Sequence, residues 1–167
     1  MDRKPLVLIL GGSDSDWLKM METAEALSEV GIPYEMHLTS AHRTPDRTAE
    51  IAGSAREKGF EAIIAEAGMS AQLAGAVAAH TTLPVIGVPL TSRASPLGGM
   101  DALLSTAQMP SGVPVGTMAI NGTKNAAIFA CSILSIKYPD LVARLDSFRK
   151  GMAEGVQEKS FKLTGHQ

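Results

Sequence analysis

The chain has 167 residues, 45% hydrophobic and 19% charged, with a formal net charge of −2 at pH 7, which suits one soluble globular domain with a single core. That balance, with a pI near 6.1, excludes the basic footprint of a nucleic-acid or anionic-membrane binder, and no apolar run is long enough to span a bilayer. The single cysteine, Cys131, lies in an apolar helical run and reads as core; with no disulfide framework or Cys/His metal set, the cytoplasm is the default compartment.

Met1-Asp2-Arg3-Lys4-Pro5 leads directly into Leu6–Leu10, an apolar stretch too short for a secretory leader. Five aliphatic residues without polar alternation predict a strand buried on both faces, the mark of a parallel sheet. Gly11 and Gly12 then turn the chain, and Ser13-Asp14-Ser15-Asp16 precedes a helix from Trp17 to Val30, closed by Gly31. Leu18, Met21, Ala24, Leu27 and Val30 carry its helical spacing. A strand ending in a Gly/Ser loop at a helix N-terminus is a ready anion site; the plainer alternative is that Ser13 or Ser15 only caps the helix. The loop has neither the Gly-Lys-Ser/Thr of a P-loop nor Gly-x-Gly-x-x-Gly spacing. Its aspartates would repel a polyphosphate, whereas Asp16 suits sugar hydroxyls and the serines suit one phosphate. A mononucleotide or sugar phosphate fits best.

Tyr34–Leu38 is a short second strand, and Thr39–Thr44 is a loop before a helix that starts at Pro45 and runs to about Lys58. A third buried strand, Ala62–Ala65, exits through Glu66–Ser70 into a small-residue helix, Ala71–His80. Leu83–Pro89 is the fourth strand; an irregular Leu90–Gly99 loop, a short helix at Asp101–Thr106 and a fifth strand at Val115–Ile120 follow. The apolar Lys124–Ile136 helix reads as buried nearly all round, more than one small domain easily covers. A long helix runs from Pro139 towards Gln157, and Glu158–Gln167 reaches away from the core. This gives one domain over residues 1–167 with a helical extension at about 139–160. Strands alternating with helices predict a three-layer α/β/α sandwich around a parallel five-stranded sheet. Ligands bind such sheets beyond the carboxyl ends of the strands, where the first loop, Ser40–Pro45 and Glu66–Ser70 converge.

His42 is the natural proton carrier in that pocket, because imidazole titrates near neutral pH. Arg43 offers a permanently charged fork for phosphate, or else pairs with an acidic neighbour. His37 and His80 read as structural or exposed, no spacing suggests a metal site, and no Gly-x-Ser-x-Gly elbow occurs.

Three motifs carry a resemblance: Gly-Ser-x-Ser-Asp-Trp (Gly12–Trp17), Ser-Ala-His-Arg-Thr-Pro-Asp (Ser40–Asp46) and Gln-Met-Pro-x-Gly-Val-Pro-Val (Gln108–Val115). In this order they resemble the PurE family of purine biosynthesis, over about Leu6 to Arg149. The resemblance implies a flavodoxin-like sandwich, a homo-octamer, and chemistry on 5-aminoimidazole ribonucleotide (AIR) without metal or organic cofactor. Class I members move carboxylate from N5 of N5-carboxyaminoimidazole ribonucleotide (N5-CAIR) to C4 of the ring; class II members carboxylate AIR with free CO2. By similarity Ser13, Ser15, Asp16, Ser40 and Arg43 hold the ribose phosphate and His42 handles protons. His42-Arg43-Thr44-Pro45 follows class I.

The third loop departs from that pattern. Where class I carries Gly-Gly-Ala-Ala-His-Leu-Pro-Gly, this chain reads Gly68-Met69-Ser70-Ala71-Gln72-Leu73-Ala74-Gly75, which puts Ser70 and Gln72 on the carboxylate side. A glutamine can bond carboxylate but cannot shuttle a proton near pH 7. Gly11 also replaces a larger apolar residue, with looser packing expected. The class I mutase is the leading expectation. A class II carboxylase and a non-catalytic mononucleotide-binding module are its alternatives.

Overall fold

The computed structural model describes residues 4–164; what the sequence suggested for residues 1–3 and 165–167 lies outside the described residues. Five strands, β1 (Val7–Gly11), β2 (Tyr34–Leu38), β3 (Ala62–Gly68), β4 (Val85–Leu90) and β5 (Gly116–Thr117), form a parallel sheet in the order β2-β1-β3-β4-β5. The helices are α1 (Trp17–Glu29), α2 (Pro45–Ser54), α3 (Leu73–Ala79), α4 (Met100–Ala107), α5 (Thr123–Ser135) and α6 (Asp140–Thr164). The chain steps outward from β1 to β2 and then crosses back to β3, so the strand order reverses at β1/β3 and opens a crevice beyond their carboxyl ends.

β1 and β4 are buried along their whole length, as unbroken aliphatic runs require when helices cover both faces. Alternate residues serve two cores. Ile9 and Ile64 pack with Met20 and Leu27 of α1, Ala130 and Leu134 of α5, and Leu141 of α6. Leu8, Leu10 and Ile63 pack on the other face with Ala52 of α2 and Val77 of α3. The result is the expected three-layer, flavodoxin-like sandwich.

Several local expectations change. Leu18 is exposed; the stripe of α1 that enters the core is Met20, Ala24 and Leu27, with Thr23 beside it. Met20 also corrects the reading of Gly11: a Cβ there would run into Met20 Sδ, so the methionine fills the space and nothing is loosened. Gly31 ends α1 with φ +69, where glycine avoids the Cβ clash. α2 stops at Ser54, not Lys58, and turns lead on to Gly59.

β3 continues to Gly68, which draws Glu66 out of the expected exit loop and into the sheet beside Gly11 and Val88. β5 keeps only Gly116 and Thr117, paired with Ile86 and Gly87; beyond them the chain bends to Asn121, at φ 56. α5 is not buried all round. Its small-residue face, including Ala126, Ala127, Ala130 and Cys131, is buried, while Phe129 and neighbouring Ile136 are exposed. Cys131 is core, as expected. No described helix is long and apolar enough to cross a membrane.

Candidate functional site

A cavity of about 440 Å³ opens at the carboxyl edge of the sheet. Ser13, Ser15, Asp16, Ser40, His42, Arg43, Ser70 and Gln72 all line it. Residues far apart in sequence meet there because the loops after β1, β2 and β3 leave neighbouring strands at the same edge.

Gly12 N donates to the Glu66 carbonyl at 3.0 Å, which ties the first loop to β3. Ser13 caps a short 3-10 turn, Asp14–Asp16: its Oγ accepts from Ser15 N at 3.4 Å and donates to Asp14 Oδ1 at 2.8 Å. Capping and cavity lining are therefore both true of Ser13. Ser15 Oγ donates to Asp16 Oδ1 at 3.4 Å. The Ser13 hydroxyl and the Ser15 amide hold the Asp14 carboxyl below its usual range. Burial pushes Asp16 upward, opposed by hydrogen bonds from the same loop.

The second loop is cross-braced. Thr39 N donates to Gly11 O at 2.9 Å and extends the β1–β2 ladder. Ser40 N donates to Thr44 Oγ1 at 3.0 Å and Thr44 N to Ser40 O at 2.8 Å, closing a tight turn that presents His42 and Arg43 to the cavity. Ser40 Oγ accepts from Arg43 N at 3.2 Å and from Nε at 3.4 Å; Arg43 Nη2 donates to Gly12 O at 3.2 Å. These hydrogen-bond partners are neutral oxygens, and the Asp14 carboxylate of the first loop also feels the guanidinium charge. An anion in the cavity can take it up.

The third loop passes through Met69 at φ 57, a conformation disfavoured for a side chain with a Cβ. α4 braces it: Ser105 Oγ accepts from Ala71 N at 2.8 Å and donates to Asp101 O at 2.8 Å. Gln72 is the N-cap of α3 but makes no side-chain cap bond, so its amide is available to the cavity. His37 is occupied by Glu35 at 2.5 Å, and His80 caps the far end of α3; neither lines the cavity.

Ser92, from the loop after β4, also lines the cavity and was not singled out from sequence. β4 lies next to β3, so the sheet-edge rule, extended to this loop, would have found it. Together the walls offer a guanidinium cation, several hydroxyls, a carboxylate acceptor, an exposed imidazole and a primary amide. That set suits a phosphorylated sugar carrying a group that exchanges a proton.

Residues 6–155 match the family model described as AIR carboxylase. The chain is 53% identical to the N5-carboxyaminoimidazole ribonucleotide mutase of Pyrococcus horikoshii, over 96% of this chain and 89% of the relative. It is 52% identical to the phosphoribosylaminoimidazole carboxylase of Schizosaccharomyces pombe, over 95% of this chain but only 28% of that longer protein. Among solved structures, PurE of Treponema denticola superposes with a TM-score of 0.83 at 29% identity, covering 95% of this chain and 98% of that one.

Proposed function

The chain belongs to the AIR carboxylase family, and we propose that it is an isomerase of purine biosynthesis that converts N5-CAIR to 4-carboxy-5-aminoimidazole ribonucleotide. One observation carries this reading: the chain is half identical to named mutases over nearly its full length, and the cavity collects the residues such a ribonucleotide needs. Arg43, Ser13, Ser15 and Ser40 take the phosphate, and Asp16 accepts from the ribose hydroxyls. The primary amide of Gln72 and the hydroxyl of Ser70 face the carboxylate that moves.

The proton count closes on itself. A proton placed on N5 lets the carbamate C–N bond break, leaving AIR and CO2. CO2 stays in the cavity, so attack on it by C4 is effectively intramolecular, an advantage of up to about 7–11 kcal/mol in well-oriented systems. His42 then removes the C4 proton and aromaticity returns. One proton is given and one recovered, so the net reaction is an isomerisation.

A purified sample should consume N5-CAIR without added bicarbonate, followed by proton NMR. Consumption of AIR plus bicarbonate, with N5-CAIR untouched, would instead establish the carboxylase reading, which the named Schizosaccharomyces relative keeps open. Binding of ribonucleotides with no turnover of either substrate would establish a binding module. Gln72→His is expected to change the mutase rate by about tenfold or less, since a neutral hydrogen bond is worth about 0.5–1.5 kcal/mol. A switch to AIR as the sole substrate in this variant would refute that assignment.

The chain reads as one domain extended by α6, working in the cytoplasm as a homo-oligomer, an octamer by family resemblance. Phe129 and Ile136 at α5, and Met152, Val156 and Leu163 on α6, are exposed apolar groups that another copy would cover. Light scattering at micromolar concentration should give an assembly larger than a dimer. A chain ending at Arg149 should assemble with fewer subunits; an unchanged subunit number would remove the part of α6 beyond Arg149 from the interface.

A further inference from the structure

Glu66 is the fully buried carboxylate of the described residues, and the reaction above gives it no task. It stands on β3, next to Gly11 of β1 and Val88 of β4. Thr23 Oγ1 of α1 donates to Oε1 at 2.5 Å, while Oε2 has no hydrogen-bond partner. The main-chain carbonyl of the same residue accepts from Gly12 N. One residue thus holds the first loop through Gly12 and the helix that follows that loop through Thr23. An apolar residue would fill this place without burying a carboxyl, so packing alone does not account for it.

The charged groups around it are few. The charges of Asp16 on the 3-10 turn and of Glu22 and Lys19 on α1 act on it. Lys19 is paired with Glu22 at 2.7 Å. α5 contributes Thr123, whose hydroxyl donates to Glu22 at 2.9 Å; the sheet neighbours Gly11 and Val88 carry no charge. Burial pushes Glu66 up to about 7, opposed by the Thr23 hydroxyl and reinforced by Asp16 and Glu22. The geometry beside this shift is a buried carboxyl with one oxygen held by Thr23 and the other unpartnered, on the strand whose carbonyl ties down the first loop at Gly12.

We infer that Glu66 is a positioning residue whose protonation sets the affinity of the site for its anionic ribonucleotide. Neutral, it leaves Asp16 as the only ionised group of the pair. Ionised, it puts a second negative charge behind the loop that receives the phosphate, and binding weakens. The inference rests on the ribonucleotide reading above.

The test is the affinity for 4-carboxy-5-aminoimidazole ribonucleotide, by calorimetry from pH 6 to 8.5, in wild type and Glu66→Gln. The ligand's own phosphate titrates equally in both. Wild-type Kd should rise about three- to tenfold more than that of the variant over this range, and KM for N5-CAIR should follow Kd while kcat does not. Thr23→Val, which removes the hydroxyl favouring the ionised form, should move the wild-type midpoint to higher pH. Identical pH dependence in wild type and Glu66→Gln would overturn the inference alone. If Glu66→Gln does not fold, an unmoved midpoint in Thr23→Val overturns it. No binding by wild type at any pH would overturn the ribonucleotide reading and this inference with it.

Discussion

Replacing His42 with Asn is expected to lower turnover of N5-CAIR by about 10²- to 10⁴-fold, the usual contribution of a positioned general acid or base. That corresponds to about 3–5 kcal/mol of lost transition-state stabilisation. Binding should barely change, because the phosphate contacts assigned to Arg43, Ser13 and Ser40 do not involve the imidazole. The asparagine keeps a polar group in the same region but cannot exchange a proton at neutral pH. The loop should survive the substitution: its closing bonds run between Ser40 and Thr44 and from Arg43 to Ser40, and none uses the His42 ring. A loss confined to kcat, with Kd for the product unchanged, is the expected signature. Turnover within a few-fold of wild type would remove His42 from proton transfer.

The second large effect concerns stability. Burial raises the folded pKa of Glu66 from 4.5 to about 7, so between those values the folded protein keeps a proton that the unfolded chain has lost. Stability from this residue is complete below about pH 4.5 and is lost as pH rises through about 7. At roughly 1.36 kcal/mol per pH unit, the loss approaches about 3 kcal/mol. Glu66→Gln, which carries no titrating proton, should therefore be more stable than wild type at pH 8 by about 2–3 kcal/mol and little different at pH 5. For a chain of this size each kcal/mol is worth about 2–4 °C in Tm, so melting curves at the two pH values and one protein concentration would resolve it. A variant less stable than wild type at both would show that the carboxyl is worth more as the partner of Thr23 than it costs as a buried acid.

The strand-loop-helix order, the parallel sheet and the carboxyl-edge pocket were legible in the sequence, for a local reason. Leu6–Leu10, Ala62–Ala65 and Leu83–Pro89 are too apolar for a one-sided sheet, and Gly31 and Pro45 set helix boundaries through backbone sterics. All eight candidate residues line one cavity because every β-strand of a parallel sheet sends its following loop to the same side.

What stayed hidden depended on neighbours distant in sequence. No local pattern tells that Met20 and not Leu18 enters the core, or that Met20 fills the space beside Gly11. The exposed face of α5 is likewise set by what the rest of the chain leaves uncovered. Glu66 is the sharpest case. Read along the chain it follows a strand and looks like the first polar residue of a loop. Only the pairing of β3 with both β1 and β4 carries it into the sheet, under α1, where its charge becomes costly. Periodicity and turn chemistry determined the elements and the edge at which they meet; which polar side chain ends up out of reach of water was decided by tertiary packing, because desolvation depends on every atom nearby and not on the order of residues in one strand.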